Sequence, residues 1–153
     1  VSGRAGRGSK EGRAVIQTYT PEHEAVSLVK SHNYRIFYDK EIAKRKLMWY
    51  PPFCKIVSVH FQGNVENIVA KTAKYFLNTA EKTQNISQKI QVLGPVPSYI
   101  SKIKNKHRWQ IIFKCEDDDN LGEILSQAEM TCRKNKEFSD VAIIIDKSPG
   151  MIN

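Results

Sequence analysis

From Lys55 onward the apolar and polar positions fall into regular periods, and six elements can be read from them in order. Lys55 to Gln62 alternates, with Val57, Val59 and Phe61 on one face and Ile56, Ser58 and His60 on the other, which is the period of a strand. Asn64 stands as a cap before a long helix whose apolar stripe is Val65, Ile68, Val69, Thr72, Ala73, Phe76, Leu77 and Ala80. Ile90 and Val92 give a short second strand, and Trp109, Ile111 and Phe113 a third. Asn120, with Glu123 three residues on, has the form of a capping box, and Leu121, Ile124, Leu125, Ala128 and Cys132 make the stripe of the helix behind it. Val141 to Ile145 is a last strand, almost wholly apolar.

The order strand, helix, strand, strand, helix, strand predicts an α+β fold. Two interleaved right-handed strand-helix-strand units give a four-stranded antiparallel sheet with two helices on one face, the split β-α-β arrangement of ferredoxin-like folds. The other face then holds Ile56, Ser58, His60, Gln110, Ile112, Lys114, Ala142 and Ile144, a set too apolar for free water. Part of it is expected to be covered, by the preceding segment or by a neighbouring domain.

Before Phe53 the pattern is weaker. Residues 1–12 are Gly-rich and basic with nothing apolar enough to anchor them, so disorder in isolation is expected. Arg13 to Tyr19 reads as a short strand through Ala14, Val15, Ile16 and Tyr19. Thr20-Pro21-Glu22 combines a capping hydroxyl, a proline at the first helical position and an acid in the first turn, and so signals a helix start. A second helix from Tyr34 to Met48 places Tyr34, Phe37, Tyr38, Ile42 and Arg45 three or four residues apart. Tyr50-Pro51-Pro52-Phe53 stops it, because proline disfavours helix at the residue before it and removes a donor. The expected organisation is therefore residues 1–53 as one part and 54–153 as a separate domain.

Charge narrows the class of partner. The chain has a net charge of +8 and a pI near 9.4, and both sides of Phe53 are basic: ten Lys/Arg against five Asp/Glu before it, fourteen against eleven after it. Polyanions, either nucleic acid or an acidic protein tail, are the expected partners. Three widely spaced cysteines argue against a disulfide framework or a zinc knuckle, and no metal site is expected. No run approaches the roughly 20 apolar residues a bilayer requires, so a cytoplasmic chain with no membrane partner is expected.

The most basic stretch lies between the second and third strands. Leu93-Gly94-Pro95-Val96-Pro97 reads as a break in the strand pattern, followed by a loop with Lys102, Lys104, Lys106 and Arg108, then Trp109-Gln110-Ile111. Four cations without an acid suit an anion-binding surface, with phosphates on the cations and Trp109 packing or stacking beside them. A loop whose lysines serve only solubility is the alternative. Glu116-Asp117-Asp118-Asp119 is read as complementing the positive end of the following helix rather than as a divalent-metal site. No phosphate-cradling Gly-x-x-x-x-Gly-Lys-Ser/Thr occurs, and no catalytic constellation is complete.

In the opening, Gly3-Arg4-Ala5-Gly6-Arg7 sets guanidiniums beside glycines, an arrangement that allows close approach to phosphates. Val1-Ser2-Gly3-Arg4-Ala5-Gly6-Arg7-Gly8 resembles the last helicase motif of superfamily 2 enzymes. The continuation Val15-Ile16-Gln17-Thr18-Tyr19-Thr20-Pro21-Glu22-His23, then Tyr50-Pro51-Pro52-Phe53, Leu93-Gly94-Pro95 and Arg108-Trp109-Gln110, is similar in order and spacing to the PriA (primosomal protein N prime) family of replication-restart helicases. An opening that starts inside a motif leads us to expect a fragment.

The resemblance implies that residues 1–53 end the second motor lobe and that 54–153 form a C-terminal domain of ribosomal S10-like fold. It implies a parent that is an ATP-dependent 3′-to-5′ DNA helicase of replication restart and primosome assembly. That parent uses ATP and Mg, and zinc in a part not present here, whereas no cofactor is expected in these residues and no ATPase activity from them alone. Arg4 and Arg7, with Gly3 and Gly6 beside them, are implied to reach the ATP phosphates in the whole enzyme. Implied partners are forked or single-stranded DNA, single-stranded DNA-binding protein and other primosome proteins. The acidic tail of that binding protein is implied to meet Lys106, Arg108 and Gln110. Relatives often carry Arg and Tyr where this chain has Lys106 and His107, so the charge at 106 is kept but bidentate contact is not. A free-standing RNA-binding module of ribosomal S10 type is the rival reading. An acyl-phosphate hydrolase on the same strand order needs a phosphate loop that Gln62-Gly63-Asn64 is too slight to supply.

Overall fold

The computed structural model describes residues 15–30, 33–83, 90–116, 119–147 and 149. The chain divides into two compact units, Val1–Ala43 and Lys44–Asn153.

In the first unit, α1 covers Glu24–Lys30 and α2, Tyr34–Leu47, begins. The strand expected over Arg13–Tyr19 is not formed at its described residues, 15 to 19, and Val15, Ile16 and Tyr19 are exposed. A strand is stable only with a ladder partner, and no described strand pairs with this segment. α1 starts at Glu24 rather than Pro21, because Thr20 to His23 close a turn (His23 N–H to the Thr20 carbonyl, 3.0 Å). His23 Nδ1 then accepts from the Ala25 N–H at 3.2 Å. α2 is capped by Asn33, whose side-chain oxygen accepts from the Ile36 N–H at 3.2 Å.

The second unit contains β1 (Lys55–Gly63), α3 (Glu66–Thr83), β2 (Ile90–Ile103), β3 (Lys106–Cys115), α4 (Asp119–Lys134), a 3₁₀ turn at Lys136–Phe138, and β4 (Ala142–Asp146). The sheet order is β2-β3-β1-β4 with every neighbouring pair antiparallel. This is the split β-α-β order expected from the periodicity. One core joins Val57, Val59 and Phe61 of β1 and Ile111 and Phe113 of β3 to the stripes of α3 (Val69, Ala73, Phe76, Ala80) and α4 (Leu121, Leu125, Ala128, Cys132). At its centre the rings of Phe61 and Phe76 meet edge to face, with centroids 5.3 Å apart. Two details of the expected helix starts differ. Val65 precedes α3 and is exposed, and Asn120 lies inside α4, which already begins at Asp119.

β2 differs most from expectation. It runs unbroken through Gly94, Pro95 and Pro97 to Ile103, and the stretch expected to be a loop is the end of a β-hairpin. β2 is an edge strand, and a proline lacks only the ladder donor that an edge strand can spare on its solvent side. Register shifts at Leu93/Val96 and Pro97/Lys102 absorb the irregular residues. Gly94 sits at φ +102°, and a Cβ there would lie 2.7 Å from the Gln110 carbonyl oxygen, so the first bulge requires glycine.

The second sheet face is partly covered by the segment that precedes β1, as its apolar character demanded. Cys54, Ile56 and Ile112 are buried there, with Trp49 and Tyr50 packed on them. Lys114 is only 4% exposed, donating to the Met48 carbonyl at 3.2 Å with its ammonium 3.8 Å from the centroid of the Tyr50 ring. A buried cation needs such partners, and among the described residues these are a carbonyl and an aromatic ring rather than a carboxylate. The cover does not extend across the whole face, since Ile144 and Leu93 remain exposed.

Candidate nucleic-acid interface

The basic stretch is built on the β2–β3 hairpin. Its turn is the pair Lys104-Asn105, with φ of 47° and 63°. Two successive left-handed residues make the tight turn whose twist matches that of the flanking strands, and Asn tolerates that conformation well. Lys104-Asn105, set between two apolar runs, is the turn signal that the sequence carries for this hairpin. The ladder next to the turn pairs Ile103 with Lys106 and Lys102 with His107, so Lys102, Lys104 and Lys106 are clustered at the tip, all exposed.

Strand alternation divides the expected site residues between two faces. Trp109 pairs with Phe61 of β1 and packs half-buried against the main core, on the side of the helices. His107 is on that side too, its Nδ1 3.5 Å from a Glu66 carboxylate oxygen at the start of α3. Lys102, opposite His107, shares this side. Lys106, Arg108 and Gln110 alternate onto the opposite face, where Arg108 pairs with Gln62 and Gln110 with His60. The ring of Trp109 is therefore held away from Arg108 and Gln110, although all three are sequence neighbours. Among the described residues none of Lys102, Lys104, Lys106 and Arg108 is in an ion pair. Residues 90 to 115 contain no Asp or Glu at all. Gly3, Arg4, Gly6 and Arg7 lie outside the described residues.

Beside this cationic edge the face is polar at its centre. His60 Nε2 lies 3.1 Å from Ser58 Oγ, while its Nδ1 is buried without a partner among the described residues. Burial, and then the Arg108 charge, hold the imidazole below its ordinary value of 6.5, with Asp146 opposing. The unfolded chain thus takes up a proton near 6.5 and the folded chain only at lower pH. The contribution of His60 to stability is full above the ordinary value and is lost as pH falls toward the folded one. An NMR titration of the His60 ring is expected to give a midpoint below 6.5, and a midpoint at or above it would contradict this placement.

All three cysteines are buried and free. Burial raises the thiol of Cys54, with Lys114 opposing, and burial together with Glu129 raises that of Cys132 to about 11. Among the described residues no group of three or more His, Cys, Asp or Glu is placed to hold a metal ion. No helix among them is long and apolar enough to cross a membrane.

Two comparisons with known proteins bear on this arrangement. Residues 46–149 match the family model described as the primosomal protein N C-terminal domain. The chain is 40% identical over 114 residues to a Synechocystis protein named replication restart protein PriA, covering 74% of this chain and 14% of the relative. It is 34% identical over 155 residues to the protein of the same name from Bacillus subtilis, covering 99% of this chain and 19% of the relative. The chain thus spans less than a quarter of the length of these relatives.

Proposed function

Because the chain belongs to the primosomal protein N C-terminal domain family, we propose that its second unit is the DNA- and partner-binding end of a replication-restart helicase. The observation that supports this reading most is the acid-free hairpin whose tip presents Lys102, Lys104 and Lys106, followed by Arg108, with none of them neutralised by the protein's own described acids. Such a surface binds phosphates through charge and positions a strand without reading its sequence.

Lys106, Arg108 and Gln110 share one face, and the same charges fit the carboxylates of an acidic tail such as that of single-stranded DNA-binding protein. DNA and that tail then compete for the edge. In the parent enzyme, residues 1–53 close the second motor lobe, and Arg4 and Arg7, beside Gly3 and Gly6, reach the phosphates of Mg-bound ATP during 3′-to-5′ unwinding. The work is cytoplasmic and serves primosome assembly at forked DNA.

The salt dependence of binding tests the reading. If four cations each neutralise a phosphate, log affinity for single-stranded DNA falls with log salt at a slope of about −3, and removing one cation flattens it by about 0.7. Titrating a fluorescent oligonucleotide at several salt concentrations measures this. A slope near zero removes the hairpin from the site.

A further inference from the structure

The hairpin carries a second exposed feature beside its charges. Between the paired positions Pro97↔Trp109 and Lys102↔His107, β2 has four residues, 98 to 101, and β3 has one, Arg108. The surplus forms a wide bulge. Within it Ser98 turns inward and is buried, while Tyr99 is 85% exposed and Ile100 53%. An aromatic ring and a branched aliphatic side chain are thus exposed on the stretch of β2 that lies opposite Arg108, just before Lys102 in sequence. Both ends of the bulge are tied into the ladder, so the ring stands on a supported strand.

We propose that Tyr99, together with Ile100, is the platform on which a base of single-stranded DNA stacks while the hairpin cations hold the flanking phosphates. The proposal rests on the DNA-binding reading above and assigns the stacking role to Tyr99 in place of Trp109, whose ring is engaged by the core. Charge favours a nucleic acid as the occupant. The stretch from residue 90 to 115 is cationic without a single acid, and an aromatic face flanked by cations is the arrangement that binds single strands irrespective of sequence. Every base has a π face, so the platform discriminates base from no base rather than one base from another.

The test uses the 153-residue chain and two oligonucleotides of equal length and charge, one of deoxythymidine and one in which the central residues are abasic. Wild type is expected to bind the base-bearing strand more tightly by roughly 5- to 150-fold, the range associated with stacking one base. Tyr99→Ala is expected to lower that affinity to the abasic level and leave the abasic affinity unchanged. Tyr99→Phe keeps the ring and is expected to keep the discrimination. If Tyr99→Ala leaves the wild-type preference intact, or weakens both strands equally, the stacking assignment is overturned while the phosphate reading stands. If it weakens only an acidic peptide, Tyr99 belongs to a protein contact and the proposal falls. If wild type binds neither strand, the DNA-binding reading falls with it.

Discussion

A chain in which Lys104, Lys106 and Arg108 are all replaced by Glu is expected to lose at least about 50-fold in affinity for forked DNA near physiological salt. Each phosphate contact on a single strand contributes a salt exponent of about 0.7, which near 0.15 M amounts to roughly a fourfold factor, and three such factors compound. Reversal goes beyond neutralisation, because each new carboxylate repels the backbone it replaces a contact with. The acidic tail peptide is expected to be lost by the same variant, since Lys106 and Arg108 face the same way on β3. Fold is a separate matter. Lys104 and Lys106 are exposed and Arg108 only partly buried, so the thermal transition should stay close to that of wild type. Fluorescence anisotropy with both ligands decides the question. Unchanged binding of DNA and peptide alike moves the interface elsewhere on the molecule.

Phe61→Ala is expected to cost about 3–5 kcal/mol, the largest stability effect of any single change considered for this chain. Phe61 is fully buried, meets Phe76 across 5.3 Å, and belongs to β1, which pairs with both β3 and β4. Truncating it leaves a cavity that touches the sheet and α3 together, and the backbone ladders on both sides of β1 limit how far that space can close. Urea denaturation followed by circular dichroism measures the loss. Ile144→Ala is the control: the side chain is exposed on the uncovered face, and a loss well under 1 kcal/mol is expected. Equal losses in the two variants would place the core on the wrong side of the sheet.

The parts of the fold that could be read from the chain are those where one period runs uninterrupted. β1, β3, β4 and the stripes of α3 and α4 are such cases, because burial on one side forces the same spacing over many residues. β2 is legible only at Ile90 and Val92, since the prolines and glycine beyond them are the residues that normally end a strand, and only its place at the sheet edge makes them tolerable. Edge position is a property of the assembled sheet. The segment from 15 to 19 failed in the opposite direction. Its composition suits a strand, but pairing depends on residues elsewhere, and among the described strands none meets it.

The candidate site was half visible. The density of cations between Lys102 and Arg108 is plain in the sequence, and so was the need to cover Ile56 and Ile112. The separation of Trp109 from Arg108 follows from strand parity, which applies only because Lys106 to Cys115 is one continuous strand rather than a loop followed by one. Tyr99 gave no periodic signal, because a bulge is where periodicity stops. The exposed ring and the two register shifts have the same origin: surplus residues in β2 that the straight ladder of β3 cannot match.

The sequestered thiols have a practical use. With Cys54, Cys115 and Cys132 all interior, and Cys132 ionising only near 11, native sulfur offers little thiolate to a maleimide at neutral pH. Ser101→Cys, an exposed site on the hairpin arm, can then take a single fluorophore with little background. The dye would sit within a few residues of both Tyr99 and Lys104, where quenching by an approaching strand reports the encounter in real time.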